Sequence, residues 1–444
     1  MDLPGIAQTL FADALRHLNI ADAMQSRVRC EGDTLRIGDR VFPLHRFRRI
    51  VIIAIGKAAG AMTDALLSRV ETLLREDQIL EGIVVGPLPL VKQHPRISFF
   101  LGSHPLPSSM SEIAAEAILN LLAGCDETWL VFFLISGGAS AMVEKALDQG
   151  ISAEDVAHFH RSLLHSGLPI TQMNTLRKHF SRVKGGRLAV AVTGATQFTL
   201  LISDVPKDAL DIIGSGPSLP DPSTLEECRR IIEDKNTFRD LPREVSRFFW
   251  SDTAEETPKA DHPAFQKASW TPLLSSDDLI DAAKVAAQRR GFHVTIDNSC
   301  DDWDYRDAAV YLLDRLRQLR QQSERVCLLS AGEVSVPIPA IHGVGGRNQQ
   351  FVLECARQIP AKHMSATVLS GGSDGVDGNS AAAGAVCDET TLVRAKARGI
   401  DAIEGLEKFD SANVFAALGD AIITGPTGNN VRDLRILLSE NQTL

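Results

Sequence analysis

Several features that would settle the class of this chain quickly are scarce or missing. Its seven cysteines (Cys30, Cys125, Cys228, Cys300, Cys327, Cys355 and Cys387) are odd in number, scattered and never spaced C-x-x-C. That excludes a disulfide framework and points to free buried thiols. No apolar run, Trp129 to Ile135 included, approaches the roughly 20 residues of a membrane helix, so no membrane partner is expected. Positive charge is in deficit, with Lys+Arg 46 against Asp+Glu 56 and a net charge of −10. Whole-surface attraction to nucleic acid or anionic lipid is thereby excluded, and any anion site must be local. The opening MDLPGIAQTLFADALRHLNI has no basic stretch followed by an apolar block and a small-residue cleavage site, so a cytoplasmic location is expected.

Established nucleotide and hydrolase motifs are missing as well. Gly56-Lys57 lacks both the upstream glycine and the following hydroxyl of a Walker loop. Neither GKAAGAM (56–62) nor GVGGRNQQ (343–350) fits G-x-G-x-x-G, which weakens a hydride-transfer reading. H-E-x-x-H, G-x-S-x-G and cysteine–histidine zinc spacings do not occur.

What is present is ordinary globular composition, 44% hydrophobic and 23% charged over 444 residues, enough for two domains or one large one. Short β-rich runs recur: RIVIIAIG (49–56), GIVVG (82–86), ISFFLG (97–102), WLVFFLIS (129–136) and TLLISD (199–204). They read as strands buried on both faces. Between them, Ser111 to Gly124 shows two adjacent apolar rows, Ile113, Ala117, Leu121 and Ala114, Ile118, Leu122, and Ser152 is placed to cap a helix carrying Val156, Phe159, Leu163 and Leu164. Alternation of strand and helix predicts an α/β fold with a mainly parallel sheet flanked by helices. The pattern returns in FHVTID (292–297), RVCLLSAGE (325–333), ATVLSGGSDG (366–375) and AIITGPTG (421–428), predicting a second α/β domain. The break falls in Asn236 to Asp277, a polar stretch with Pro242, Pro258, Pro263 and Pro272. The expected division is 1–245, a linker region 246–275, and 276–444.

Strand ends carry most of the chemistry: SGGAS, SDVPKD, SAGE, SGGSDGVDG and TGPTGNN all follow apolar runs. Ligands of open α/β sheets collect beyond the carboxyl ends of the strands, where glycine admits close backbone approach and a helix N-terminus offers free N–H groups to an anion. One such motif alone more often just turns the chain; five together favour a shared cleft. Lys57, just past a strand, is either a mobile charge for a carboxylate or phosphate or a solvated surface residue. In NTLRKHFSRVKGGRLA (174–189), Lys178 and Arg182 share a helical face that Gly185-Gly186 would end, and a solvated basic helix is the ordinary outcome. No aromatic residues interleave there to stack bases. Gly345 and Gly346 clear space around Arg347, which either grips two oxygens or caps a helix. Among the acids Asp204, Asp208, Glu333, Asp374 and Asp377, Asp377 suits a turn, while Asp204 and Asp374 follow strands directly and suit Mg²⁺ or a substrate hydroxyl proton.

Taken in order, IGKAAGAM, GSHPLPS, LISGGASAM, NTLRKHFSRVKGGRLA, ISDVPKDALDIIGSGPSLPDPST, GVGGRNQQF, SGGSDGVDG and TGPTGNNVRDLRILL resemble the class II glycerate kinases, or glycerate 2-kinases, from about Ile55 to Leu438. The resemblance implies ATP- and Mg²⁺-dependent phosphorylation of D-glycerate at its 2-hydroxyl. It also implies a Rossmann-like N-terminal domain, a C-terminal α/β MOFRL domain and an active-site cleft between them. A monomer and a homodimer both stay open. The family's functionally important lysine and arginine fall on Lys57 and Arg347. With Asp204 these are the expected catalytic residues. Ser136, Gly137, Gly138, Ser140, Lys184, Gly185, Gly186 and Asn348 are the expected ATP contacts, and Asp204 and Asp374 the expected metal ligands. Three positions depart from the family pattern: Gln350 for a usual glutamate, which bears on metal or ribose contacts, the serine of SGGSDG for a common threonine, and Arg432 for a frequent asparagine. A hydroxypyruvate reductase is the alternative; a non-catalytic sugar-acid or nucleotide sensor ranks last.

Overall fold

The structure, a computed structural model, describes residues 2–233, 241–360 and 365–440; residues 236–240 of the expected break lie outside them. It divides into two compact units, Ile20–Leu273 and Met1–Asn19 with Leu274–Leu444. Among the described residues no helix is long and apolar enough to cross a membrane.

In the Ile20–Leu273 unit, β1 (Val28–Glu31), β2 (Thr34–Ile37) and β3 (Arg40–Pro43) make a small antiparallel sheet that the sequence did not announce. The main sheet runs β6-β5-β4-β7-β8-β9, built from β4 (Arg49–Ile55), β5 (Ile79–Gly86), β6 (Ile97–Leu101), β7 (Trp129–Ile135), β8 (Thr196–Ile202) and β9 (Ala268–Leu274). From β6 through β8 every pairing is parallel, with Ile53 opposite both Ile83 and Phe133, and Phe133 opposite Thr199. All seven residues of β7 are buried, as a central parallel strand covered on both faces requires. By contrast β6 is an edge strand: Phe99 and Leu101 are exposed, so the expectation of two buried faces fails there. Helix Ser109–Leu122 starts in a capping box between Ser108 and Ser111 and buries the row Ala114, Ile118, Leu122, leaving Ile113 outside. Ser152 caps helix Ala153–His165 by accepting the Asp155 N–H.

The basic run departs most from expectation. Its helix, Ile170–Phe180, stops before Arg182, because the Arg182 N–H donates to the Lys145 carbonyl at 2.7 Å and Ser181 bridges Ala146. Gly185 and Gly186, at φ 55° and 83°, precede a new short helix, Arg187–Ala191, instead of closing the old one. Nor is the run solvated: Arg177, Lys178, His179, Lys184 and Arg187 are buried, and only Arg182 of the six flanking cations is exposed.

The expected linker, 246–275, is integral to this unit. Phe248 and Phe249 pack with Phe159 and Phe180 in an aromatic cluster, and β9 completes the sheet beside β8. Its prolines mark irregular backbone, not a boundary. The N-terminal boundary moves too, since helix Leu3–His17 buries Leu3, Ala7, Leu10, Phe11 and Ala14 in the C-terminal unit, where the Phe11 ring lies against Gly371.

The second unit's sheet, ordered β10-β11-β15-β12-β13-β14, is formed by β10 (His293–Ile296), β11 (Arg325–Ala331), β12 (Thr367–Gly372), β13 (Gly384–Cys387), β14 (Ala421–Ile422) and β15 (Asp433–Glu440). Only β10 and β11 pair in parallel; the other contacts are antiparallel. Arg435 disguises β15 in the sequence, yet its guanidinium is fully buried, donating to the Gly332 and Ala331 carbonyls at 3.1 and 3.2 Å and lying over the Phe351 ring. A buried charge whose donors meet carbonyls and an aromatic face is tolerated inside a sheet.

Candidate anion-binding site

Because β4 and β7 are neighbours in register, with Ile55 opposite Ile135, the loops that follow them, GKA and SGGAS, lie side by side. Three hydrogen bonds join them: Ser136 N–H to the Ile55 carbonyl at 3.1 Å, Ala58 N–H to Ser136 Oγ at 3.0 Å and Lys57 N–H to the Gly137 carbonyl at 2.9 Å. Gly56 has φ 126°, and a Cβ there would lie 2.5 Å from the Ser136 carbonyl oxygen, so this contact demands glycine. Gly138, at φ 85°, leaves a hollow in which a Cβ would stand 3.2 Å from His104 Cδ2 and 3.4 Å from Lys57 Cγ. The Asp204 carboxylate comes within 3.1 Å of the corresponding point on Gly137.

The geometry thus brings Lys57, Gly137, Gly138 and Asp204 together. The helix after SGG, Ala139–Met142, is a single turn, so its dipole adds little. What remains is more specific: the N–H groups of Gly137, Gly138 and Ser140 donate to no group among the described residues. The two serine side chains are engaged elsewhere. Ser136 Oγ holds Ala58, and Ser140 Oγ meets Ser215 Oγ at 2.8 Å, which donates to Asn174 Oδ1 at 2.9 Å.

Three expected ATP contacts are spoken for internally. Lys184 is buried, its Nζ donating to Glu144 Oε2 at 2.5 Å and to the Val143 carbonyl at 3.1 Å. Burial pushes Lys184 down against the pull of Glu144. Gly185 and Gly186 donate their N–H groups to the carbonyls of Ser215 and Gly216 at 3.0 and 2.7 Å. These residues brace the cradle from behind and present nothing to a phosphate. Lys178 is likewise committed, to Asp211 at 2.5 Å and Asp221 at 3.0 Å.

Two residues without an assigned role belong to this neighbourhood. His104, from GSHPLPS, is depressed below the ordinary histidine range by burial and then by the charges of Lys57 and Arg177. Arg177 is 8% exposed, and its buried Nε has no hydrogen-bond partner. Burial lowers its pKa against the attraction of Glu144. Both lie in motifs the sequence brings out, GSHPLPS and the basic run NTLRKHFSRVKGGRLA, but only tertiary packing separates them from the residues around them.

The C-terminal unit holds the other expected residues. Arg347, the first residue of helix Arg347–Gln358, donates Nε and a terminal nitrogen to both oxygens of Asp433 at 2.5 and 3.0 Å and meets Glu333 at 2.8 Å. Burial opposes its charge, but Asp433 and then Glu333 more than compensate and raise its pKa. Asp433, almost fully buried, escaped the sequence reading although it stands in the TGPTGNNVRDLR motif. Gly346 clears space for Asp377, not for the guanidinium: a Cβ there would lie 2.3 Å from Asp377 Oδ1. Asp377 is more than a turn residue, because its carboxylate accepts the Asn348 and Gln349 N–H groups at 3.0 and 2.8 Å and so caps the helix. Burial pushes it up to about 6 despite those bonds. Asn348 is buried, bonded to Asp377 at 3.3 Å and to Ser370 at 2.5 Å, so its side chain does not face an ATP molecule.

Of the departures from the family pattern, Gln350 points inward to the Leu406 carbonyl at 2.8 Å. Ser373 Oγ accepts the Val431 N–H at 2.8 Å, and Arg432, at φ 74°, makes a two-pronged pair with Asp301. Asp374 is half-buried, Oδ1 accepting the Val376 N–H at 3.1 Å. Among the described residues no group of three or more His, Cys, Asp or Glu side chains is arranged to hold a metal by itself.

Comparison with known proteins identifies the family. Residues 6–250 match the model of a domain of unknown function, DUF4147, and residues 326–433 match the MOFRL family. A glycerate 2-kinase of Pyrococcus horikoshii is 32% identical over 99% of this chain and 98% of its own. A putative hydroxypyruvate reductase of Agrobacterium vitis is 35% identical over 88% of this chain and 87% of its own. The crystal structure of a glycerate kinase from Thermotoga maritima superposes with a TM-score of 0.82 at 29% identity, covering 98% of this chain and 99% of that one. The chain belongs to the glycerate 2-kinase family with a C-terminal MOFRL domain.

Proposed function

We propose that this protein transfers the γ-phosphoryl group of ATP to the 2-hydroxyl of D-glycerate, giving 2-phosphoglycerate and ADP. The observation that carries the reading is the cradle of three uncommitted N–H groups, Gly137, Gly138 and Ser140, beside the exposed Lys57. Phosphoryl transfer needs little covalent help from a protein; it needs positioning and stabilisation of charge on the migrating group. Backbone amides fixed by the Gly56–Ser136 contact supply that without reorganisation, and Lys57 adds a mobile positive charge.

ATP fits the cradle by charge and donor count. Mg²⁺ fits as well, because this ion ordinarily takes one or two carboxylates and completes its shell with phosphate and water. Asp204, over Gly137, is the proposed first carboxylate, and Asp374 keeps the metal role its sequence position suggests. Bound Mg²⁺ would neutralise charge between the phosphates. In this reading Asp204 would take the hydroxyl proton, and Arg347, its orientation held by Asp433, would offer its guanidinium to an oxyanion.

The relative named as a putative hydroxypyruvate reductase motivates one other reading, reduction of hydroxypyruvate by a nicotinamide cofactor. The missing dinucleotide fingerprint counts against it. Incubation with D-glycerate and MgATP, followed by phosphorus NMR, separates the two. The kinase reading expects ADP and a 2-phosphate ester; NADH oxidation with hydroxypyruvate and no ADP would replace it.

A further inference from the structure

One buried cation in the same unit as the SGGAS cradle has no partner among the described residues that explains its presence. Arg177 is more than nine-tenths buried, yet no hydrogen bond or ion pair engages its guanidinium among the described residues. An isolated buried charge costs several kcal/mol and is ordinarily paired. Glu144, whose charge attracts Arg177, is already spent: Oε2 takes Lys184 at 2.5 Å and His160 at 2.7 Å, and Oε1 takes the Lys145 N–H at 2.9 Å. The direction in which Arg177 acts is set by its helix. Asn174 lies one turn earlier on the same face and reaches Ser140 of the SGGAS loop through Ser215. The Arg177 charge also falls on His104, which touches the hollow at Gly138.

We infer that Arg177 is an oxyanion-binding residue, its guanidinium joining the bare amides of Gly137, Gly138 and Ser140 to hold a phosphoryl or carboxylate group of the reactants. This deepens the kinase reading and rests on it. A guanidinium gripping an oxyanion makes charge-assisted, two-pronged bonds, so its loss weakens binding by about 10- to 100-fold.

The test compares wild type with Arg177→Gln and Arg177→Lys, using calorimetric titration with MgADP, D-glycerate and inorganic phosphate, and thermal melting to monitor the fold. Arg177→Gln is expected to lose at least about tenfold for one of MgADP and D-glycerate, with Arg177→Lys intermediate and the other ligand within twofold. Loss for MgADP identifies a phosphoryl group, and loss for D-glycerate a carboxylate. A folded Arg177→Gln that binds all three probes as wild type does overturns the inference. Should Arg177→Gln not fold, unchanged affinities in Arg177→Lys overturn it equally. Wild type that makes no ADP from glycerate, but binds phosphate through Arg177, refutes the kinase reading and keeps the anion site. Wild type that binds none of the probes refutes both.

Discussion

Arg347 opens its helix and Arg177 stands in the last turn of its own, one arginine in each unit, and their surroundings are opposite. Arg347 is caged by Asp433 and Glu333, and the helix it starts is capped by Asp377. Arg177 has no counter-ion in contact among the described residues, and its charge falls on His104, which borders Gly138 of the loop with three uncommitted amides. A caged cation has its orientation fixed by the fold and contributes to stability whether or not ligand is present. One without a partner is held at a cost, and that cost is relieved only when an anion arrives. On the proposed reading the C-terminal constellation offers an arginine already fixed by its partners, and the SGGAS constellation gains a partner for its arginine when an anion binds.

The largest effect expected falls on the capture side. Lys57→Ala should lower kcat/KM for glycerate-dependent ADP formation by about 10²- to 10³-fold, the usual cost of removing a preorganised charge-stabilising group. Activity within a few-fold of wild type would remove Lys57 from the site.

Next in size is stability. Arg347→Ala leaves Asp433 buried and unpaired, which costs about 3–5 kcal/mol and should lower Tm by roughly 10 °C for a unit of this size. Arg177→Ala removes a charge already without a partner and should leave Tm unchanged or raised. Equal losses in the two melting curves would break the contrast.

Gly138→Ala is a smaller perturbation. A left-handed conformation costs a non-glycine residue about 1–2 kcal/mol, and the added methyl would crowd His104 and Lys57. A roughly tenfold rise in KM for one reactant, with the fold retained, is expected, as for any loss of about 1.4 kcal/mol.

The contrast also predicts a pH response of opposite sign in the two units. His160 is fully buried, and burial, only partly offset by Glu144, pulls it down to about 4 from 6.5. Its stabilising contribution is present above about pH 6.5 and is lost as pH falls through about 4. Asp377 is pushed up to about 6 from 3.8, first by burial. Its contribution is present below about 4 and is lost as pH rises through about 6. Urea unfolding between pH 4 and 8 should show His160→Gln flattening the acid limb, and Asp377→Asn removing a decline between about pH 4 and 6. Parallel profiles for both variants would contradict the assignments.

Legibility in the sequence followed the range of the interactions involved. RIVIIAIG and WLVFFLIS declare central strands because burial on both faces demands unbroken apolar runs, and the SGG that follows declares exposed backbone. Ser108 and Ser152 declare their helices because capping is local. By contrast β15 was hidden by Arg435, whose partners lie about a hundred residues earlier. The basic run reads as a solvated helix because its counter-ions, Glu144, Asp211 and Asp221, are dispersed along the chain. His104 and Arg177 lie in the motifs GSHPLPS and NTLRKHFSRVKGGRLA, but the sequence does not separate them from their neighbours there, since what distinguishes them is a neighbour or its absence in space. Lys184, Gly185 and Gly186 misled for the same reason: a basic Gly-Gly segment resembles a phosphate loop until its N–H groups are found bonded to Ser215 and Gly216.

A crystal structure of the protein with MgADP tests the capture site most directly. Phosphate oxygens should lie within hydrogen-bond distance of the Gly137, Gly138 and Ser140 N–H groups, with the Lys57 ammonium alongside. Nucleotide density elsewhere, with those three amides still facing solvent, would contradict the account.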